Sequence, residues 1–209
     1  MVALALALFA SGSSASSIEE ATEASYAAES SVKGVVLLDV YWSRVWKCKQ
    51  FQNAQLQSLV FEPAPLSPGD EASSAAWTLE IPSRLAPPKG FVSYAFLLNP
   101  GQYFMTGFEV GYARSISDVG AVKAARSDLV SAGKSKAGSF TVAAGESVYI
   151  GNFAVDCYKD PIPWRYYTEE KNFPKHEAQF RSKYPFLNAS PMVFRLFETT
   201  TLGEVYEPK

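Results

Sequence analysis

Trp164-Arg165-Tyr166-Tyr167 is the densest group of side chains in the chain able to grip a ligand. Three aromatic faces and one guanidinium can stack on sugar rings or anchor a partner protein. Pro161 and Pro163 stiffen this stretch, which reads as a loop. The plainer reading is that the loop folds its aromatics back over one end of the core. Other chemistry is sparser. Ala132-Gly133-Lys134-Ser135 matches the end of a phosphate-binding loop, but Asp128 stands where that motif needs its first glycine. An acid there repels the phosphates the backbone amides should cradle. Ser131-Ala-Gly-Lys134 spells the S-x-x-K nucleophile pair of penicillin-recognising enzymes. Its partner motifs are missing, because Ser127-Asp128 is followed by Leu129 and no K-T-G occurs. His176 is the only histidine, so any serine or cysteine triad depends on it. It sits between Lys175 and Glu177 and reads as an exposed residue on a surface helix. One histidine and two distant cysteines make a poor zinc site. Glu169-Glu170, Asp156 and Asp160 could flank a sugar, but acidic residues in such a setting are usually solvated. We therefore assign no catalytic residue, no metal and no cofactor from the sequence.

The elements that must position these residues are mostly strands. Two strand–turn–strand cassettes dominate the middle of the chain, Phe91 to Phe108 and Ser139 to Phe153. Each is an apolar, aromatic and β-branched run broken once by a turn signal, Asn99-Pro100-Gly101 or Ala144-Gly145-Glu146. Gly34 to Trp46, Gln55 to Phe61 and Trp77 to Ile81 supply further strands. Between Ser115 and Gly138 the composition turns to Ala, Ser, Gly and Lys. This stretch reads as an insertion, either mobile or carrying a short helix capped by Ser117 or Asp118. Pro174 suits the first turn of a helix over 174–184, with Phe173, Phe180 and Tyr184 on its apolar side. Pro185 ends that helix, and Val193 to Phe197 is a last apolar run.

The chain of 209 residues, 47% hydrophobic and 19% charged, is long enough to bury a core without staples. Lys and Arg (19) nearly balance Asp and Glu (21), so no basic excess supports nucleic-acid binding. Residues 1–17 read as a signal-peptide-like leader, with an apolar core at Val2 to Phe9 too short to span a membrane. Residues 18–33 read as an acidic, Ala/Ser-rich tether or weak helix, and 34–209 as a single domain. Phe9-Ala-Ser-Gly12 resembles the residues before the lipidated cysteine of bacterial lipoproteins, but Ser13 stands in the cysteine position, where no thioether can form. In an exported chain the two cysteines, Cys48 and Cys157, can pair. Alternation puts both on apolar faces, which suits either a core-spanning disulfide or two buried thiols.

The order Leu-Leu-Asn-Pro-Gly-Gln-Tyr, insertion, Ser-Phe-Thr-Val-Ala-Ala-Gly-Glu-Ser-Val-Tyr-Ile-Gly-Asn-Phe covers Phe91 to Phe153. It resembles a group of uncharacterised bacterial envelope proteins, many of them lipoproteins, that are similar to transthyretin-like (prealbumin-like) sandwiches. The resemblance implies a mainly β, antiparallel β-sandwich, and it carries over no catalytic residue.

The sequence thus predicts an antiparallel, transthyretin-like sandwich with one or two short helices toward the C-terminus. The expected role is non-catalytic: an exported periplasmic or outer-envelope component that binds an envelope protein as part of a larger assembly. The alternative is a glycan or peptidoglycan binder using Trp164 to Tyr167, and an envelope hydrolase is a minor one. Neither nucleic acid nor an integral membrane span is expected.

Overall fold

Long apolar strands separated by Pro/Gly turns close into two sheets that face each other. The computed structural model describes residues 16–66, 73–158, 161–166 and 169–199. Ser16–Ser17 forms β1 and Glu23–Glu29 forms α1, followed by β2 (Gly34–Tyr41), β3 (Val45–Cys48) and β4 (Phe51–Pro63). Next come β5 (Trp77–Glu80), β6 (Phe91–Leu98), β7 (Gly101–Ala113) and β8 (Val119–Ala124). Then α2 (Arg126–Leu129), β9 (Val130–Ser131), β10 (Lys134–Ser135), β11 (Ser139–Val142) and β12 (Ser147–Asp156). The last elements are β13 (Ile162–Tyr166), α3 (Phe173–Lys183) and β14 (Met192–Phe194).

One sheet runs β1-β5-β4-β7-β11, with β3 also on β4 and β8 also on β7. The other runs β13-β12-β2-β6, with β14 also on β12. The chain is mainly β, but not antiparallel throughout. β2 and β12 are parallel neighbours, as are β12 and β14, so the β2/β12 sheet is mixed. The reason lies in the two cassettes. β6 sits in the β2/β12 sheet and β7 in the β4/β7 sheet, and β11 and β12 are split the same way. Each turn is therefore an arch between sheets, not a hairpin within one. The strand that returns through the second arch meets β2 from a different sheet and lies parallel to it.

The main core fills the space between the sheets. Val36, Leu38 and Val40 of β2 meet Leu56, Leu59 and Phe61 of β4, and all are fully buried. Each such side chain contributes about 1.5–3 kcal/mol relative to exposure. A second apolar layer covers the outer face of the β2/β12 sheet. There Val35, Leu37, Ala95 and Tyr149 lie under Phe180, Tyr184 and Leu187. Burial on both faces explains why Val35 to Val40 has so little polar alternation. α3 opens at Phe173 with Pro174 in its first turn. α1 is closed by a reciprocal Thr22/Ser25 capping box, and the Ala21 N–H just before it donates to the Ala95 carbonyl (2.8 Å).

Residues 119–124 form a strand, where the sequence offers a helix or a mobile loop. β8 pairs antiparallel with β7 from Phe108 to Ala113. Free β7 backbone groups are satisfied this way, and the helix shrinks to the four residues of α2. The proposed leader falls on residues 1–17, of which 1–15, including Ser13, lie outside the described residues. Among the described residues no helix is long and apolar enough to cross a membrane.

Candidate functional site

Trp164 and Arg165 lie on a strand, not a loop. β13 runs antiparallel to β12, with Ile162 opposite Asp156, Trp164 opposite Ala154, Arg165 opposite Phe153 and Tyr166 opposite Asn152. Alternation along the strand sends Trp164 and Arg165 to opposite faces, so they do not act together. Arg165 follows the core-facing Phe153, and its side-chain carbons pack about the Gly151 backbone. Tyr166 is placed by its register on Asn152, and Tyr167 lies outside the described residues. Pro163 is tolerated in β13 because this strand is at the sheet edge.

Trp164 lines a cavity of about 410 Å³ together with Tyr41, Val45, Phe91, Val155 and Tyr158. Tyr41 and Phe91 face each other at the ends of β2 and β6, with ring centroids 5.2 Å apart in an edge-to-face arrangement. The walls are chiefly apolar. Asp156, itself buried, also lines the cavity, and its Oδ1 accepts from the Tyr158 N–H at 2.8 Å. Cys157 forms part of the wall and is bonded to Cys48. Tyr41 and Phe91 carried no signal in the sequence, since both read as ordinary strand residues.

A polar row crosses the outer face of the same sheet beside α3. Asn152, Asp39 and Ser93 are register neighbours on β12, β2 and β6. Ser93 Oγ donates to Asp39 Oδ1 at 2.5 Å, and the Tyr149 hydroxyl donates to Asn152 Oδ1 at 2.5 Å. Strict alternation would separate Tyr149 from Asn152. The bulge at Gly151, with φ +104°, adds one residue and turns both outward. α3 then lowers His176 onto the row: Nδ1 lies 3.6 Å from Asp39 Oδ2 and 3.4 Å from the Tyr149 oxygen. Gln179 Nε2 donates to Ser93 Oγ at 2.8 Å. His176 is thus largely covered and stacked on Tyr149 (centroids 5.2 Å), whereas its charged neighbours in sequence suggest exposure. Aspartate stands between serine and histidine, so His176 has no contact through which to take the Ser93 proton. The row holds α3 to the sheet and makes Asp39 a satisfied buried acid.

The two motif matches near residue 133 resolve into one hairpin. Ser131 pairs with Lys134, and the intervening Ala132 and Gly133 both have positive φ, 51° and 74°. That is the geometry of a two-residue hairpin turn, and it offers neither the helix N-terminus of a phosphate loop nor the helix of an S-x-x-K enzyme. Among the described residues no group of three or more His, Cys, Asp or Glu side chains is placed to hold a metal ion. No family model, curated protein or solved structure matches this chain.

Proposed function

We propose that the protein is a non-catalytic, exported component of the bacterial cell envelope that works by binding a partner protein in a larger assembly. The observation that carries this reading is the Trp164 cavity. Its aromatic and aliphatic walls suit one apolar side chain of a partner, the usual form of an interface anchor. The leader-like start, the P-G-x-Y and A-G-E turns and the two facing sheets support an envelope protein with a transthyretin-like sandwich.

A glycan ligand is the second reading. It is favoured by Trp164 and Asp156 sharing the cavity, a ring to stack on a sugar face and a carboxylate to accept its hydroxyls. A crosslinked pull-down from native envelope fractions, run with the wild type and with Trp164→Ala, separates the two. A stoichiometric protein partner lost in Trp164→Ala supports the assembly component. Cell-wall glycan lost in the same variant supports the second reading. Equal recovery of every ligand by both proteins removes the cavity as the binding site.

A further inference from the structure

The β4/β7 sheet holds a second opening of about 590 Å³, lined by Arg44 and Trp46 on either side of the Val45 that lines the Trp164 cavity. Three irregularities meet there on one side chain, Gln57. β4 bulges between Leu56 and Ser58, which makes Gln57 the extra residue in the strand. Bulges re-aim side chains. The residue beneath it is Gly111, inside the long strand β7, where glycine packs nothing and weakens the strand. A Cβ at Gly111 would lie 2.1 Å from Gln57 Nε2, so the glycine exists to let this amide lie flat on the sheet. The Gln57 Oε1 atom is buried there without a hydrogen-bond partner in the protein. A buried acceptor without a protein partner, laid over a strand glycine at a bulge, calls for a partner from outside the chain.

The surroundings define the ligand. Asn53 and Gln52 add two more amides, each able to donate and accept. Trp46, 65% exposed, and Ile116 and Val119, 100% and 70% exposed, rim the opening with apolar surface. Arg44 and Arg84 also line it, and both are exposed. The arginines in described ion pairs are Arg114, Arg126, Arg181 and Arg195, so these two remain available to an anion. Glu109, the acid of the opening, is already held by Lys123 at 3.1 Å. The floor is paired, β4 to β7 and β7 to β8, while β3 and β8 at its margins each pair on one side among the described residues.

We propose that this face binds an acidic oligosaccharide, with Gln57 and its neighbouring amides reading hydroxyls, Trp46 stacking on a sugar face, and Arg44 and Arg84 holding a carboxylate. Amides match the mixed donor and acceptor character of sugar hydroxyls, and the apolar rim matches the C–H faces of the rings. This site shares no residue with the Trp164 cavity and stands or falls independently of it.

The test is isothermal titration of the full chain with tetragalacturonate and with tetramannuronate. Cellotetraose serves as the neutral control and a Glu/Phe-rich peptide as the acidic protein-like control. The expected result is saturable binding of a uronate tetrasaccharide that weakens with added salt. Affinity falls by about tenfold or more in Trp46→Ala and in Gln57→Met, because a site built to bond a hydroxyl loses most when its partner is removed. Replacing both Arg44→Gln and Arg84→Gln abolishes the preference over cellotetraose. Trp164→Ala leaves the affinity unchanged. Trp46 is exposed, so its variant stays folded even if Gln57→Met does not, and circular dichroism checks each protein. No saturable binding of either uronate, or binding that survives both Trp46→Ala and the double arginine variant, overturns the proposal. Peptide binding that displaces the uronate assigns the face to a protein partner and overturns it equally.

Discussion

Cys48, the last residue of β3 in the β4/β7 sheet, is bonded to Cys157, the residue after β12 in the β2/β12 sheet. One covalent strap therefore joins the two sheets beside the Trp164 cavity, across a sequence separation of 109 residues. The bond closes the end of the core where β2 and β6 run out at Tyr41 and Phe91.

Closing a loop of this length restricts the unfolded chain strongly. Replacing both residues, Cys48→Ser with Cys157→Ser, is expected to lower the unfolding free energy by about 4–5 kcal/mol in the chain-entropy description. Urea titration of the oxidised wild type against the double variant measures it. Coincident midpoints would show that the strap contributes nothing to stability.

Glu62 and Arg126 form an ion pair at 3.0 Å with side chains 1% and 8% exposed, between β4 and α2. The pair fastens α2 to β4, and Leu129 of the same helix is buried in the main core. Arg126→Ala strands a buried carboxylate and is expected to cost about 3–5 kcal/mol, whereas Glu62→Gln with Arg126→Met removes both charges and costs much less. Thermal unfolding of the two variants decides the point. Equal destabilisation would mean that the loss is packing and not the uncompensated charge.

Arg195 grips Glu146 with both nitrogens, Nη2 to Oε1 at 2.7 Å and Nη1 to Oε2 at 3.0 Å. Glu146 also accepts from the Ala143 N–H at 2.9 Å, which closes the second arch. The hydrogen bonds from Arg195 hold the Glu146 carboxyl below its ordinary value of 4.5, against a smaller opposing effect of burial. The unfolded chain thus takes up the proton first on acidification. The stabilisation is fully present above pH 4.5 and is lost as pH falls through the lower folded value. Glu146→Gln is expected to melt lower than the wild type at neutral pH and to converge with it in acid. Melting curves recorded across the acidic range test this, and a constant gap between the two proteins would rule the linkage out.

Much of the local structure was legible in the chain. Alternating and β-branched runs marked β2, β4, β6, β7 and β12, and Pro174 marked the start of α3. These signals act over a few residues, where φ restriction and side-chain period operate. Sheet membership was not legible. Asn99-Pro100-Gly101 reverses the chain whether the next strand joins the same sheet or the opposite one, and the second outcome made both cassettes into arches. Residues 119–124 have weak strand character on their own and became β8 only because β7 presents an unpaired edge.

The site followed the same division. The residue types of Trp164 and of the Cys48–Cys157 pair were visible as candidates in the sequence alone. That Trp164 would meet Tyr41 and Phe91, and not Arg165, depended on β13 pairing with β12 in one register. Asp39 sits in an apolar run with nothing to mark it, and only α3 crossing the sheet brings His176 to it. Gln57 and Gly111 are 54 positions apart in the chain and meet through a bulge and a cross-strand register. The sequence by itself determined where the strands lie, where the chain turns and which residues are apolar, because those depend on each residue and its near neighbours. The tertiary structure decided which strands pair, which faces are covered and which side chains meet, because those depend on burial and hydrogen bonding between segments far apart in the chain.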